Sequence, residues 1–295
     1  MVFISRRDAG TLLLAGCAGA LVPAGRLRGA TMINSVIRGV QIGAQSYSFR
    51  DLQTPEAILK AFQTVALGEC ELSSGAEPAN LRGPERAKWD REAPLDYFKE
   101  LRKKYDDAGV LIYAYTYGFR KDFTDEQIEQ GFRIAQALGV KYITSSANVS
   151  VAPRVDKCAQ KYKIMAGFHG HDSTSKPDEF STAETFARAM KGASPYIGVN
   201  LDIGHFVAAG GDPVAYITEH HARIVTLHIK DRKKDHGANL PFGQGDTPIA
   251  AVLQLLRDKR WKIPANIEYE YGKPGMDTIA EVTKCFEYCK KALES

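Results

Sequence analysis

Two polar runs with chemically active side chains lie close together in the second half of the chain. Residues 199–205 read Val-Asn-Leu-Asp-Ile-Gly-His, and residues 226–231 read Thr-Leu-His-Ile-Lys-Asp. Side chains alternate between the two faces of a β-strand. Asp202 therefore lies on a polar face of the first run, and His228 and Lys230 share a polar face of the second. Other segments repeat this arrangement, which predicts that the polar faces converge on one interior site.

The elements that position these groups alternate between strand and helix. The first predicted strand begins at residue 39, the eighth spans residues 264–270, and no glycine-rich phosphate loop follows the first strand. Eight strand–helix units without a break in composition predict a single α/β domain, a (β/α)8 TIM barrel over residues 38–295. The one long connection, a polar segment that ends at Arg91, is predicted to be a loop.

Residues 1–30 are predicted to be an export signal that precedes the barrel. Ser-Arg-Arg-Asp8 is followed by an uncharged run that is too short to span a bilayer comfortably. The arginine pair resembles a twin-arginine signal, and Leu-Ala-Gly-Cys17 resembles the box that is cleaved before a lipidated cysteine. We therefore expect an exported, periplasmic protein without a membrane span, with Cys17 as a candidate lipid anchor. A disordered or mitochondrial-like leader is the alternative.

Charge and cysteine content exclude some classes of function. The formal net charge of +4 falls to +1 once residues 1–30 are removed, because 35 basic and 34 acidic residues remain. A nearly neutral body gives no electrostatic reason to expect nucleic-acid binding. The five cysteines do not form a disulfide pattern, and Cys285 and Cys289 are predicted to be buried thiols. The oligomeric state is left open, and a homo-oligomer is one possibility.

The candidate ligands come from neighbouring strand ends, and in a parallel barrel the C-terminal ends of the strands form the functional face. Imidazole nitrogens favour transition metals, whereas carboxylate oxygens also accept harder cations. We therefore predict a divalent metal ion, Mn or Zn, with Mg and Co as alternatives. Its predicted ligands are His169, Asp202, His228 and Glu268.

Each candidate ligand also has a purely structural alternative. His169 and its neighbour His171 are compatible with hydrogen-bonded loop histidines. Asp202 is compatible with a helix N-cap, and Glu268 with a structural ion pair to Lys230 inside the barrel. The shared placement of these residues at strand ends favours the metal site.

The order of the motifs resembles the sugar phosphate isomerase/epimerase family, the xylose-isomerase-like barrels. The resemblance is carried by Asn-Leu-Asp-Ile-Gly-His205, His-Ile-Lys-Asp-Arg232, Gly-Gln-Gly-Asp246 and Ile-Glu-Tyr-Glu270, and it covers nearly all of the chain after residue 38. It implies a barrel with a divalent metal at its C-terminal face and chemistry at a carbon next to a sugar carbonyl. It also implies that Asp202, His228 and Glu268 are metal ligands and that His205 contacts the substrate.

The fifth-strand position departs from this family pattern. The epimerases usually have a glutamate ligand there, and here the position holds His169. In the epimerases the two glutamates face opposite sides of the bound sugar, and each can exchange a proton with it. The loss of one carboxylate disfavours two-base epimerisation. A single base is still sufficient for enolisation in one direction or for elimination.

These residues predict a metal-dependent sugar isomerase or epimerase that removes a proton next to a carbonyl. The predicted proton acceptors are Glu268, Glu270 and His171, and Lys230 or His205 is expected to hold substrate oxygens. Further candidate substrate contacts are Glu71, Asp231, Arg232 and Trp89.

Three other hypotheses remain from the sequence. Because phosphorylated sugars are scarce outside the cytoplasm, export favours a neutral sugar or an oxidised glycoside, which makes a lyase or hydratase on keto-glycosides the second hypothesis. A non-catalytic carbohydrate-binding barrel is the third. A DNA repair enzyme of the endonuclease IV type, from the same superfamily, is disfavoured because it needs more metal ligands than the sequence offers.

Overall fold

The computed structural model describes residues 31–52, 54–273 and 275–295. The predicted export segment, including Cys17, lies outside these residues. Within the described ranges, no helix has the length and apolar character needed to cross a bilayer. The four described cysteines are all free, and Cys285 and Cys289 are buried, as the sequence predicts.

Eight parallel strands form a closed barrel, which confirms the predicted fold. Each barrel strand pairs with the next along the chain, and the last, β11, pairs with the first, β2. A short strand, β1, pairs antiparallel with β2, and β9 and β10 form a separate hairpin. The strands are β1 (Val36–Ile37), β2 (Val40–Gln45), β3 (Glu69–Leu72), β4 (Leu111–Thr116), β5 (Tyr142–Ser146), β6 (Met165–His169), β7 (Ile197–Asp202), β8 (Ile224–Ile229), β9 (Asp231–Arg232), β10 (Asn239–Leu240) and β11 (Ala265–Ile267).

Helices cover the outside of the barrel and bury one apolar face each. In the first helix, Ile58 and Phe62 are almost fully buried, and the Thr54 side chain accepts a hydrogen bond from the Ala57 N–H at the helix start. The helices are α1 (Pro55–Val65), α2 (Gly83–Glu92), α3 (Leu95–Asp107), α4 (Asp125–Ala137), α5 (Ala152–Tyr162), α6 (Ala183–Met190), α7 (Ile203–Ala208), α8 (Pro213–His220), α9 (Ile249–Lys259) and α10 (Thr278–Glu294).

The long connection after β3 contains helix α2, so the prediction of a loop up to Arg91 was wrong. The helix has Pro84 in its first turn, and its Trp89 ring packs edge-on against Tyr97 at a centroid distance of 5.1 Å. Most of its residues are charged, so the sequence has no apolar periodicity there to indicate a helix. Packing of Trp89 against the neighbouring helix holds it in place.

The last barrel strand is shorter than predicted, and this places two acidic residues beyond its end. Strand β11 stops at Ile267, so Glu268 and Glu270 lie in the segment that follows. The Ser48 hydroxyl fixes this segment: it donates to the Ile267 carbonyl and accepts from the Tyr269 N–H, each at 3.0 Å. The turn after the first strand therefore positions the acidic residues of the eighth.

The barrel interior contains a buried carboxyl group, that of Glu69 on β3. Its side chain is 1% exposed and its oxygens accept no hydrogen bond. A Cβ at Gly43 would lie only 1.8 Å from Glu69 Oε2 and 2.4 Å from Asn266 Oδ1, so only glycine fits there. Burial, and secondarily the Glu71 carboxylate, raise the pKa of Glu69 well above its ordinary value. A protonated Glu69 can donate to Asn266 Oδ1, which otherwise has no partner.

The substitution Glu69→Gln is expected to stabilise the protein increasingly as the pH rises. The folded state keeps the Glu69 proton, whereas the unfolded chain releases it above its pKa near 4.3. Unfolding of the parent protein is therefore favoured at higher pH, and glutamine removes this effect. Urea unfolding between pH 4 and pH 8 measures the free energy of unfolding of both proteins. The difference between the two free energies should grow by up to about 1.4 kcal/mol per pH unit. A difference that does not change with pH would contradict a protonated Glu69.

Candidate active site

Four side chains from neighbouring strand ends converge at the C-terminal face of the barrel. They are His169 at the end of β6, Asp202 at the end of β7, His228 on β8 and Glu268 just after β11. Each is buried, and one ligand atom from each lies within 4.8 Å of those from the other three. The structure thus brings together all four residues that the sequence predicts as metal ligands.

Three ring nitrogens of this group have no hydrogen-bond partner. Both nitrogens of His169 and Nδ1 of His228 are buried without one, whereas Asp202 Oδ2 and Glu268 Oε2 are paired with the Lys230 ammonium. His169 Nε2 lies 3.6 Å from Asp202 Oδ2, and His228 Nδ1 lies 3.3 Å from Glu268 Oε2. Buried polar atoms are normally satisfied. Two imidazoles and two carboxylates suit a divalent transition metal, so the residues fit such an ion.

Asp202 combines the predicted role with its structural alternative. Its Oδ1 accepts a hydrogen bond of 2.7 Å from the His205 N–H and thereby caps helix α7. Its Oδ2 faces the cluster of ligands. The cap fixes the carboxylate so that the second oxygen points toward His169 and Glu268.

Lys230 lies between the carboxylates of the site. Its Nζ is 2.9 Å from Asp202 Oδ2, 2.7 Å from both Glu268 Oε2 and Glu270 Oε2, and 3.0 Å from His205 Nε2. Burial acts to raise the pKa of Glu268, but the positive charges of Lys230 and His228 outweigh it and lower that pKa below its ordinary value. The predicted Glu268–Lys230 ion pair is therefore also present, next to the ligand group.

Glu71 lies beneath the site and orients His228. It is fully buried and is not among the residues that line the cavity, so its substrate contact stays a prediction. Glu71 Oε2 is 2.9 Å from His228 Nε2, and Thr144 donates to Oε1 at 2.6 Å. A carboxylate behind a histidine ligand fixes its ring and raises its basicity. Burial acts to lower the pKa of His228, but Glu71 and Glu268 raise it well above its ordinary value, so metal binding there must displace a proton.

A polar cavity of about 420 Å³ opens beside the ligand group. Tyr47 stands at its edge, 38% exposed, with the Arg50 guanidinium 4.4 Å from its ring centroid. Tyr47 is not among the predicted site residues, although the Ser-Tyr-Ser turn directly after the first barrel strand was a usable signal. None of the described lining residues is Lys or Arg. They are Gln45, Tyr47, Ser73, Thr116, Thr144, Ser145, Ser146, His169, His171, Asn200, His205, Glu268 and Glu270.

Two more predicted site histidines border the cavity. The His171 ring lies 4.8 Å from that of His169 and 5.4 Å from that of His205, measured between centroids. Burial is the main cause that lowers the pKa of His171 to about 4 and that of His205 to about 3. Both imidazoles are therefore neutral near pH 7, and His171 has a nitrogen that can accept a hydrogen bond or a proton. The two nitrogens of His205 lie against Lys230 and Arg232.

Three further predicted substrate contacts have structural partners instead. Asp231 accepts hydrogen bonds from the N–H groups of Gly243, Gly245 and Thr247, and so holds the loop that follows β10. The Arg232 guanidinium donates to the Gly237 carbonyl and contacts His205 Nδ1 at 2.5 Å. Like Trp89, which packs on α3, these residues are not among those that line the cavity, and their substrate contacts stay predictions.

Comparison with known proteins finds one matching family model and several partial relatives. Residues 74–289 match the family model described as xylose isomerase-like TIM barrel. The chain is 35% identical over 75 residues to the rhizopine catabolism protein MocC of Rhizobium meliloti, a match that covers 25% of this chain and 22% of MocC. It is 28% identical over 97 residues to the L-ribulose-5-phosphate 3-epimerase UlaE of Escherichia coli, covering 33% of this chain and 34% of UlaE.

A solved structure of a sugar phosphate isomerase/epimerase from Parabacteroides distasonis has the same fold. It superimposes with a TM-score of 0.63 at 18% sequence identity, over 90% of this chain and 99% of that one. The curated relatives, in contrast, are matched over about a third of their length or less. The similarity therefore extends to the fold and to the family.

Glu71→Gln is expected to weaken metal binding about 10- to 100-fold, because the amide no longer supplies the negative charge behind His228. Titration calorimetry of chelator-treated protein with Mn²⁺ measures the affinity. Glu69→Gln is the matched control, since it changes a buried carboxyl on the same strand whose oxygens form no hydrogen bond with the four predicted ligands. Equal weakening in both variants, or none in Glu71→Gln, would argue against the orienting role.

Proposed function

Because the chain belongs to the xylose isomerase-like TIM barrel family, we propose that it is a divalent-metal-dependent sugar isomerase of the isomerase/epimerase type. It removes a proton from the carbon next to a carbonyl of a carbohydrate. The observation that carries this proposal is the convergence of His169, Asp202, His228 and Glu268 beside a polar cavity. A bound ion, Mn or Zn with Mg and Co as alternatives, would polarise the carbonyl and stabilise the enolate.

Glu270 is the best-placed proton acceptor. Its carboxylate lines the cavity, whereas Glu268 is engaged in the ligand group. Lys230 Nζ contacts Glu270 Oε2 at 2.7 Å, which holds the carboxylate in a fixed orientation. The neutral imidazole of His171 is the second candidate for moving the proton, and His205 lies close enough to hold a substrate oxygen.

The carboxylates that border the cavity come from one side. Glu268 and Glu270 belong to the same segment after β11, whereas the wall formed by β4 and β5 supplies the hydroxyls of Thr116, Thr144 and Ser145. One base on one face suits transfer of a proton between adjacent carbons and return on the same face. It disfavours epimerisation by two carboxylates on opposite faces.

Elimination from a keto-glycoside is the second candidate function, and the same one-sided arrangement supports it. A ketone acidifies the neighbouring C–H bond, Glu270 takes that proton, and the electron pair forms a C=C bond. The C–O bond to the aglycone then breaks, and the aglycone leaves with a proton from solvent.

The cavity lining favours an uncharged carbohydrate over a sugar phosphate. The described lining residues supply hydroxyl and amide groups that match sugar hydroxyls, and no Lys or Arg is present among them to bind a phosphate. UlaE is named for a phosphorylated substrate, so we propose that this chain differs from it in substrate. The predicted export of the protein agrees with a neutral substrate.

Deuterium incorporation tests the proposed reaction. Metal-loaded protein is incubated in D₂O with aldoses, ketoses and keto-glycosides, and we expect one deuterium next to the carbonyl of a turned-over sugar by mass spectrometry. Chelation should abolish the exchange, and Mn²⁺ or Zn²⁺ should restore it. Glu270→Gln should slow it at least about 100-fold at unchanged metal content.

The products separate the candidate functions in the same experiment. An isomer keeps the mass of the substrate apart from the label, whereas elimination releases a free aglycone. Sugar binding without any exchange, unaffected by chelators, would contradict the enzyme and indicate the carbohydrate-binding barrel.

Tyr47→Ala is expected to raise KM about 3- to 10-fold with little change in kcat. The exposed ring offers an apolar platform for one face of the sugar, and such contacts contribute about 0.5–1.5 kcal/mol. Steady-state kinetics with the sugar that exchanges deuterium measures the effect. Tyr47→Phe keeps the ring and should retain the parent KM. An equally large rise of KM in Tyr47→Phe would show that the hydroxyl, and not the ring, is responsible.

A further inference from the structure

Two groups of potential ligands overlap at the C-terminal face. The first contains the four predicted metal ligands, and the second consists of His205, Glu268 and Glu270. One ligand atom from each member of the second group again lies within 4.8 Å of the others, and Glu268 belongs to both. By arrangement alone, this face has room for two neighbouring cations.

The Lys230 ammonium contacts every member of the second group. Its Nζ lies 2.7 Å from Glu268 Oε2, 2.7 Å from Glu270 Oε2 and 3.0 Å from His205 Nε2. From the first group it reaches Asp202 Oδ2, at 2.9 Å. Within the part of the chain that the structure describes, the ammonium therefore fills the second group and stands at the edge of the first.

The backbone around Lys230 leaves room for this placement. A Cβ at Gly204 would lie 2.9 Å from the Lys230 carbonyl oxygen and 3.0 Å from its Cγ, so glycine at the start of α7 accommodates the lysine stem. The whole Lys230 side chain is only 2% exposed. Because the Lys230 ammonium occupies the second group, we infer that it takes the position of a second metal ion and limits the site to one divalent ion. Lys230 is in this sense a built-in cation.

Electrostatic repulsion supports this inference. Lys230 Nζ lies within 2.9 Å of three carboxylates, those of Asp202, Glu268 and Glu270. A second divalent ion held by the same carboxylates would lie beside the ammonium, and like charges at such distances repel strongly in a buried site. Without Lys230, the second group keeps its ligands and loses its cation.

The inference rests on the proposed metal centre, and metal stoichiometry tests both. The chelator-treated full chain is equilibrated with Mn²⁺, and bound metal is measured by inductively coupled plasma mass spectrometry and by electron paramagnetic resonance. We expect one Mn²⁺ per chain in the parent protein, with the spectrum of an isolated ion. We expect two in Lys230→Ala and in Lys230→Ser, with the spin coupling of neighbouring ions.

Two further variants serve as controls. Lys230→Arg keeps the positive charge and should bind one ion. Lys230→Ala combined with Glu270→Gln removes a ligand that belongs only to the second group and should return to one ion. Circular dichroism shows whether each variant is folded. Folding of Lys230→Ala that depends on Mn²⁺ also supports the inference, because the ion then replaces the ammonium.

The outcomes separate this inference from the proposed function. Two ions in the parent protein, or one ion in a folded Lys230→Ala, would overturn the built-in cation and leave the metal centre intact. Failure of both neutral variants to fold even with Mn²⁺ would also overturn it, because no ion then substitutes for the lysine. No ion in the parent protein would remove the metal centre and, with it, the proposed metal-dependent reaction.

Discussion

Negative charge buried at the mouth of the barrel is the constraint on which the site depends. Asp202 and Glu268 are nearly inaccessible to water, and Glu270 lies beside them. Carboxylates can remain ionised at such depth only if cations and hydrogen-bond donors compensate them. Lys230 supplies a fixed part of this compensation by pairing with Asp202 and Glu268. The ring nitrogens of His169 and His228 that lack a hydrogen bond lie beside these carboxylates and mark where a divalent ion fits.

Contacts between strands that are distant in the sequence hold these charged groups in place. Closure of β11 on β2 brings Ser48 to the segment that carries the two acidic residues, and its hydroxyl fixes that segment at both ends. Glu71, from the second barrel strand, lies behind His228 from the seventh. The site thus consists of the predicted ligands beside the cavity and of buried residues behind them, such as Glu71 and Ser48, that orient them. Such layered support is what keeps ligand geometry defined.

Much of the fold could be predicted from local patterns. Eight repeating units can be read from the local sequence alone. Their strands are apolar on both faces or alternate in polarity, and several of their helices end at glycine. Helix α2 was missed because its sequence is almost entirely polar and its one large apolar residue, Trp89, finds a partner only in the next helix. The end of β11 was placed too late, because its last residues continue the alternation although they have left the sheet.

The sequence alone determined which residue types stand at the strand ends, because the two-residue period of a strand assigns each side chain to a face. The four predicted ligands follow from that period and meet in the structure. Tertiary structure decided how deep each polar group lies and what it contacts. Glu71 faces the interior as the period requires, yet it supports His228 and not a substrate-binding surface. Asp231 lies beyond the end of β8 and holds a loop. Depth and partner depend on strand stagger and on loops from elsewhere in the chain, which no local pattern encodes.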